Sequence, residues 1–321
     1  MSIFKDKDIL VTGGCGSIGS EIVRQLAKHQ PERIRVLDNN ESGHWHLQNN
    51  LGDDAHYMRP LIGDIRDRDR LFRAMEGVDI VFHAAALKHV PLCEYNPFEA
   101  VYTNVIGTKN VVEAAIQQKV KHLINISTDK AVNPVNTMGA TKLLSERIVI
   151  AAPVGFHGAS FSCVRFGNVL GSDGSVVPLF QRQIEAGGPV TVTSAEMTRF
   201  FMTIPQAVRL VLRAAELKQG KEIFVLKMDV VRILDLAEVM PEDIEIKFIG
   251  KRAGEKMHEY LFTEEEAPHI EELEDMFVVR NAHNDPRRID RSDWEAVWEK
   301  GKGRLIGKDE IREILQSNGS L

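Results

Sequence analysis

Ser127-Thr128-Asp129-Lys130 sets two hydroxyls, a carboxyl and an amine on successive residues. Further along, Met138 and Lys142 stand four apart, a spacing that puts both on one face of a helix. A tyrosine at 138 would complete a Tyr-x-x-x-Lys pair able to deprotonate an alcohol, but a thioether neither gives nor takes a proton. An acid beside a base suits a different step, in which the base removes a proton from one carbon while the acid protonates a group leaving the next. The expected chemistry is therefore oxidation coupled to elimination, with Thr128, Asp129, Lys130, Met138 and Lys142 as the candidate catalytic set.

Such chemistry needs an electron acceptor, and the N-terminus carries a cradle for one. Asp8-Ile9-Leu10-Val11-Thr12 reads as a strand that runs into Gly13-Gly14-Cys15-Gly16-Ser17-Ile18-Gly19 and then a helix. Glycines at 13, 16 and 19 allow a turn tight enough for main-chain amides, including those of Ser17 and Ile18, to approach a pyrophosphate, and the helix N-terminus adds its dipole. Asp38 ends the second strand, where a carboxylate binds the ribose hydroxyls of a dinucleotide. Asn39 and Asn40 follow it, with no arginine for a 2′-phosphate, so NAD is favoured over NADP. Asp64 and Ile65, after the third strand, suit adenine contact, the lesser alternative for Asp64 being a surface turn residue. Ala84 and Ala85, after the fourth strand, leave room for the cofactor, and Cys15 reads as a small filler in the loop.

The elements that must hold these residues alternate over the first half of the chain. Asp8–Thr12, Ile34–Leu37, Tyr57–Ile62, Ile80–His83, His122–Ile126 and Ser160–Phe166 read as strands, with helices such as Ser20–His29 and Asn104–Gln117 between them. This predicts an α/β fold: a Rossmann-type doubly wound parallel sheet with a smaller α/β C-terminal substrate domain. Turn clusters at Gly171–Ser175 and Gly187-Gly188-Pro189 precede short strands (Val190–Thr193, Glu245–Ile249) and helices (Pro205–Leu217, Leu234–Met240). The expected divisions are 1–167 for the dinucleotide, 168–280 for a sugar nucleotide, and 281–321 as a helical extension. That extension, with helical pieces at Ser292–Lys300 and Lys308–Gln316, reads as surface-packed or as an oligomer contact.

Composition narrows the partners. The chain has 321 residues, 43% of them apolar and 27% charged, and a formal net charge of -6, which argues against nucleic acid. The start has no apolar core of a signal peptide, and no run of about 18 apolar residues offers a membrane span. The three cysteines lack disulfide or metal-ligand spacing. A cytoplasmic protein with reduced thiols and no metal site is expected.

Longer strings carry a resemblance. They are Ala86-Leu87-Lys88-His89-Val90-Pro91, Ser127–Pro134, Met138-Gly139-Ala140-Thr141-Lys142, Val164–Ser172, Met197–Met202 and Arg252-Ala253-Gly254-Glu255-Lys256. With the glycine loop they resemble the extended short-chain dehydrogenase/reductases, and within them the UDP-N-acetylglucosamine 4,6-dehydratases and related polysaccharide-biosynthesis proteins of bacteria and archaea. The likeness covers about residues 5 to 280. It implies NAD-dependent oxidation at C4 of the sugar, C5 deprotonation by Lys130, loss of the C6 hydroxyl with a proton from Asp129, and return of the hydride to C6. A proton returned to C5 from the opposite face would invert that centre. Thr128 would relay the proton that tyrosine normally takes, with Lys130 or a water accepting it, and Lys142 would bridge the nicotinamide ribose.

On the substrate side the resemblance implies Lys88 and His89 near the sugar. It places Arg199, Arg252 and Asn168 on the diphosphate and Glu255 on a ribose hydroxyl. Arg165 could serve a phosphate or a buried ion pair. Two departures stand out. The membrane-spanning N-terminal half of larger members has no counterpart here, and only Pro241-Glu242-Asp243 bridges helix and strand where members have a longer loop. A UDP-hexose 4-epimerase is the nearest rival, and Met138 also admits a non-catalytic NAD-binding protein. A homo-oligomer is expected, since dimers through a helix pair are common for this fold.

Overall fold

The computed structural model describes residues 2–152, 158–172, 174–240, 244–280 and 291–317. Its strands are β1 (Asp8–Thr12), β2 (Arg33–Asp38), β3 (Met58–Ile62), β4 (Ile80–His83), β5 (His122–Thr128), β6 (Ser160–Phe166), β7 (Asn168–Leu170), β8 (Val190–Val192), β9 (Thr198–Thr203), β10 (Ile223–Leu226), β11 (Asp229–Arg232), β12 (Ile246–Phe248), β13 (Ile270–Glu272) and β14 (Met276–Val279). Nine form one sheet in the order β13-β14-β10-β6-β5-β4-β1-β2-β3. The first six are parallel and reverse direction of winding at β1, the topological switch point of a doubly wound fold. β4, β6 and β10 are buried along their whole length, as a sheet covered on both faces requires.

Past residue 167 the chain divides between layers. β10 joins β6 in parallel, and β14 and β13 extend the same sheet antiparallel. Helix Ile204–Leu217, held at its start by a Thr203–Gln206 capping box, packs on helix Ser17–Ala27 against the main core. The rest builds a smaller lobe with sheets β11-β9-β7 and β12-β8 around Phe180, Phe201, Val231, Leu236 and Ile311. Trp294–Gly301 and Lys308–Ser317 are helices, and Lys308–Ser317 packs on helix Ile233–Val239. Asp173, the expected Pro241-Glu242-Asp243 bridge and the start of the expected extension lie outside the described residues.

Helix expectations shift in two places. The helix after the glycine loop begins at Ser17 rather than Ser20, so it starts immediately after Gly16. The segment expected as one helix from Asn104 opens as a π-helical turn, Val101–Gly107, before α-helix Thr108–Gln117. That turn places Asn104 to clamp Leu87, accepting from its N–H at 2.8 Å and donating to its carbonyl at 3.0 Å.

Candidate active site

The glycine loop is built as a cradle. A Cβ on Gly13, whose φ is +66°, would lie 2.5 Å from the Ala85 nitrogen, and one on Gly19 would strike the Gly13 carbonyl. Helix Ser17–Ala27 has Gly16 as its N-cap, no capping side chain and no acid in its first turn, so its N-terminus is suited to an anion. Asp38 is oriented beside it by the Cys15 N–H (3.0 Å) and the Asn40 N–H (3.0 Å). Burial first, and then Asp38, push the Cys15 thiol up to about 12, which suits a filler rather than a nucleophile. Asp64 is gripped by Arg66, at 2.7 Å from Nη2, and this bonding lowers its pKa. Arg66 also pairs with Glu99, so its guanidinium is engaged twice. Ile65 is buried against Gly107. These residues fit a dinucleotide with a free 2′-hydroxyl.

Below the cradle a buried polar chain ties the strand ends together. His83 bonds Thr12 at 2.7 Å and Thr108 at 3.0 Å, and Thr108 reaches Ser145 at 3.1 Å. Burial, with Lys142 nearby, pulls the His83 pKa down to about 3, so the ring is neutral. Lys142 is itself buried and donates to the Ile126 carbonyl at 2.6 Å. Burial lowers its pKa to about 8, against the opposing pull of Glu146.

The Ser-Thr-Asp-Lys block sits where β5 ends. Asp129 is fully buried, and its Oδ1 accepts from the Thr128 hydroxyl (2.9 Å) and the Lys130 ammonium (2.8 Å). Lys130 also donates to Asn168 Oδ1 at 3.1 Å. The second oxygen of Asp129 has no partner and faces the position of Gly167, where a Cβ would come within 3.0 Å of it. Met138 packs with Cys93, Ala100 and Val90 in a small apolar cluster. Thr128, Asp129 and Lys130 thus converge, and Asn168, expected at the diphosphate, joins them through Lys130.

The other expected residues lie around this group. Lys88 and His89 are exposed on the loop after β4, and His89 lies against Gly174. Arg199 is largely buried, its Nη1 donating to the Thr198 (2.7 Å) and Met257 (3.2 Å) carbonyls. Glu255 accepts from the Arg252 N–H at 3.2 Å and closes the turn that displays the Arg252 side chain. That turn is fastened over residues 133–137 by Asn136 Nδ2, which donates to the Gly254 carbonyl at 2.7 Å. Arg165 resolves as a buried ion pair: it bridges Glu146 (2.7 Å) and Glu266 (2.8 Å). Ser127 donates to the same Glu146 at 2.5 Å, which anchors β5 beside the reacting block.

Sequence reading missed Glu259. Its side chain is 4% exposed, its Oε1 lies 4.0 Å from the Lys130 ammonium and its Oε2 3.3 Å from that of Lys256. No local pattern marks it; only the fold brings the two segments together.

Comparison with known proteins places the whole chain. The family model described as polysaccharide biosynthesis protein spans residues 9–281. An uncharacterised membrane protein of Methanocaldococcus jannaschii is 55% identical over 98% of this chain and 97% of its own. A UDP-N-acetylglucosamine 4,6-dehydratase (inverting) of Campylobacter jejuni is 41% identical over 86% of this chain and 84% of its own. A UDP-glucose 4-epimerase of Rickettsia rickettsii is 42% identical over the same shares. The chain spans 46% of the capsular polysaccharide biosynthesis protein CapD of Staphylococcus aureus, to which it is 50% identical. The solved structure of Pen from Bacillus thuringiensis superposes with a TM-score of 0.89 at 43% identity, covering 99% of this chain and 100% of that one. The glycine cradle, the acid–base block and these matches agree: the chain belongs to the polysaccharide biosynthesis protein family, within the extended short-chain dehydrogenase/reductases.

Proposed function

We propose that the chain is a UDP-N-acetylglucosamine 4,6-dehydratase that inverts C5. As an enzyme of the extended short-chain dehydrogenase/reductase type it would use NAD, which solved structures of similar fold hold. Gly13, Gly16, Ser17, Ile18 and Gly19 would hold the pyrophosphate, Asp38 the ribose, Asp64 and Ile65 the adenine, and Ala84, Ala85 and Lys142 the nicotinamide half. Bound there, NAD supplies reversible hydride acceptance.

The observation that carries the reading is the Asp129–Lys130 bond of 2.8 Å, with Asp129 fully buried and Lys130 partly exposed. A 4-keto group acidifies the C5 proton, and Lys130 as an amine removes it while Asp129 as an acid protonates the C6 oxygen. Ammonium with carboxylate and amine with acid contain the same number of protons, so a transfer along that one bond arms both groups. Thr128 holds the carboxyl in line. The sugar nucleotide is assigned to the region 168–280, with Lys88 and His89 at the sugar, Asn168, Arg199 and Arg252 toward the diphosphate and Glu255 toward a ribose. The name of the Campylobacter relative supports inversion. Among the described residues no helix is long and apolar enough to cross a membrane, and the free thiols support a cytoplasmic setting.

The second reading, a UDP-hexose 4-epimerase, is favoured by the Rickettsia relative. Incubation with UDP-N-acetylglucosamine in deuterated water, followed by mass spectrometry, separates the two. Loss of water with deuterium gained at C5 is expected. A sugar of unchanged mass and altered configuration would mean epimerase.

A further inference from the structure

We propose that Glu259 stores the proton that leaves the sugar's O4, received through Lys130, in place of the tyrosine that Met138 replaces. The proposal rests on the dehydratase reading.

Counting protons creates the need. Oxidation at C4 by the nicotinamide dinucleotide removes one proton from O4. Elimination removes a second from C5 as the C5–H and C6–O bonds break. One proton joins the departing C6 oxygen to make water, and one is finally taken up by C5, so the sum is zero. During elimination a base must be free for C5 while an acid stands ready for C6. Lys130 and Asp129 must then hold a single proton between them, and the ion pair as built already holds it. The O4 proton is surplus to that pair. Met138 cannot accept it, the Lys142 amine is buried and turned to the Ile126 carbonyl, and the Thr128 hydroxyl can pass it on but not keep it.

Glu259 meets the requirement. Its Oε1 faces Lys130 across 4.0 Å. Its Oε2 is buried, has no hydrogen-bond partner and meets Lys256 only as an ion pair without hydrogen-bond alignment. Behind it lies a cavity of about 310 Å³ lined also by Arg199, His258 and Lys302. The space is large enough for water, and these side chains offer it polar partners. Elimination returns the Lys130–Asp129 pair to its starting count, so only the stored proton remains. The cycle closes when Glu259 releases it into the cavity and C5 takes one from solvent on the inverted face. Among the described residues, Lys130, Lys256, Arg199, His258, Tyr260 and Lys302 are the charged or titratable groups around the carboxylate, and of these only Lys130 also pairs with Asp129.

The test uses the full chain with NAD and UDP-N-acetylglucosamine in deuterated water. Glu259→Gln keeps the size and polarity of the side chain but cannot store a proton. Its rate of water loss is expected to fall by about 100-fold or more, with UDP affinity by calorimetry within about threefold of the wild type. Glu259→Ala leaves space for formate, which should restore water loss by about tenfold while chloride does not. Water loss by Glu259→Gln within about threefold of the wild type, or a Glu259→Ala variant deaf to formate, would overturn the proposal alone. A wild-type enzyme that epimerises the sugar or leaves it unchanged would overturn the dehydratase reading and, with it, the need for a third acceptor.

Discussion

At the scale of single residues, two side chains divide the chemistry through one hydrogen bond. Asp129→Asn preserves an oxygen for Thr128 and Lys130 but has no acidic proton for the C6 hydroxyl. Water loss should fall about 100- to 1,000-fold, and deuterium exchange at C5 should fall with it, because Lys130 loses the partner that takes its proton. A mutant that loses water normally would remove Asp129 from the acid role. Lys142 supports a prediction of another kind. Burial lowers its pKa from the ordinary 10.5 to about 8. Between those values the unfolded chain binds a proton that the folded chain has released, so stability rises with pH across that window and is flat below it. From about pH 7.5 to 9.5 the gain is about 2 kcal/mol. Lys142→Met should lack this rise, whereas Lys218, also lowered to about 8, stays in both proteins and cancels. Urea unfolding of both proteins at the two pH values checks it, and equal changes would refute it.

At the scale of elements, the site depends on joints between strand ends and helices. Arg165 on β6 binds Glu146 of helix Thr137–Ala151 and Glu266 of the C-terminal segment, all three buried. Arg165→Met would leave two carboxylates buried without their cation, costing about 3–5 kcal/mol. The denaturant midpoint should drop accordingly, and adding Glu146→Gln and Glu266→Gln should recover part of the loss. The six parallel strands and the glycine cradle were legible because each is written in contiguous residues: β-branched runs, then Gly13, Gly16, Gly19 and Asp38 at fixed intervals. Partners that meet only through the fold were not. The choice for Arg165 between phosphate and ion pair required Glu266, which lies 101 residues away. Glu259 required the loop after Arg252 to close over the block at the end of β5, and the π-helical turn at Val101–Gly107 hides within an ordinary helical pattern. The return of β10, β13 and β14 to the main sheet follows from pairings that no local periodicity encodes.

At the scale of the whole molecule, one region exposes several large apolar side chains. Helices Val90–Tyr95 and Pro97–Ala100 and the turn after them expose Leu92, Tyr95 (87%), Phe98 (76%) and Tyr102, with Leu144 of helix Thr137–Ala151 also exposed. Single exposed apolar residues are ordinary, but a run of aromatics on adjacent turns marks an interaction surface. The same helices begin at His89 and contact helix Thr137–Ala151, which carries Met138 and Lys142. Glu94 on this face accepts from the Thr137 N–H at 2.5 Å, so the surface is mechanically joined to the start of the site helix. A second copy of the chain covering this face would bury the aromatics and brace that helix. Light scattering should therefore give a multiple of 36.0 kDa. Tyr95→Glu with Phe98→Glu should shift the protein to a monomer with unchanged circular dichroism, because both side chains are outside the core. A wild type already at the mass of one chain would refute the interface. A monomeric double mutant of full activity would keep the interface and show that the site helix needs no brace from its neighbour.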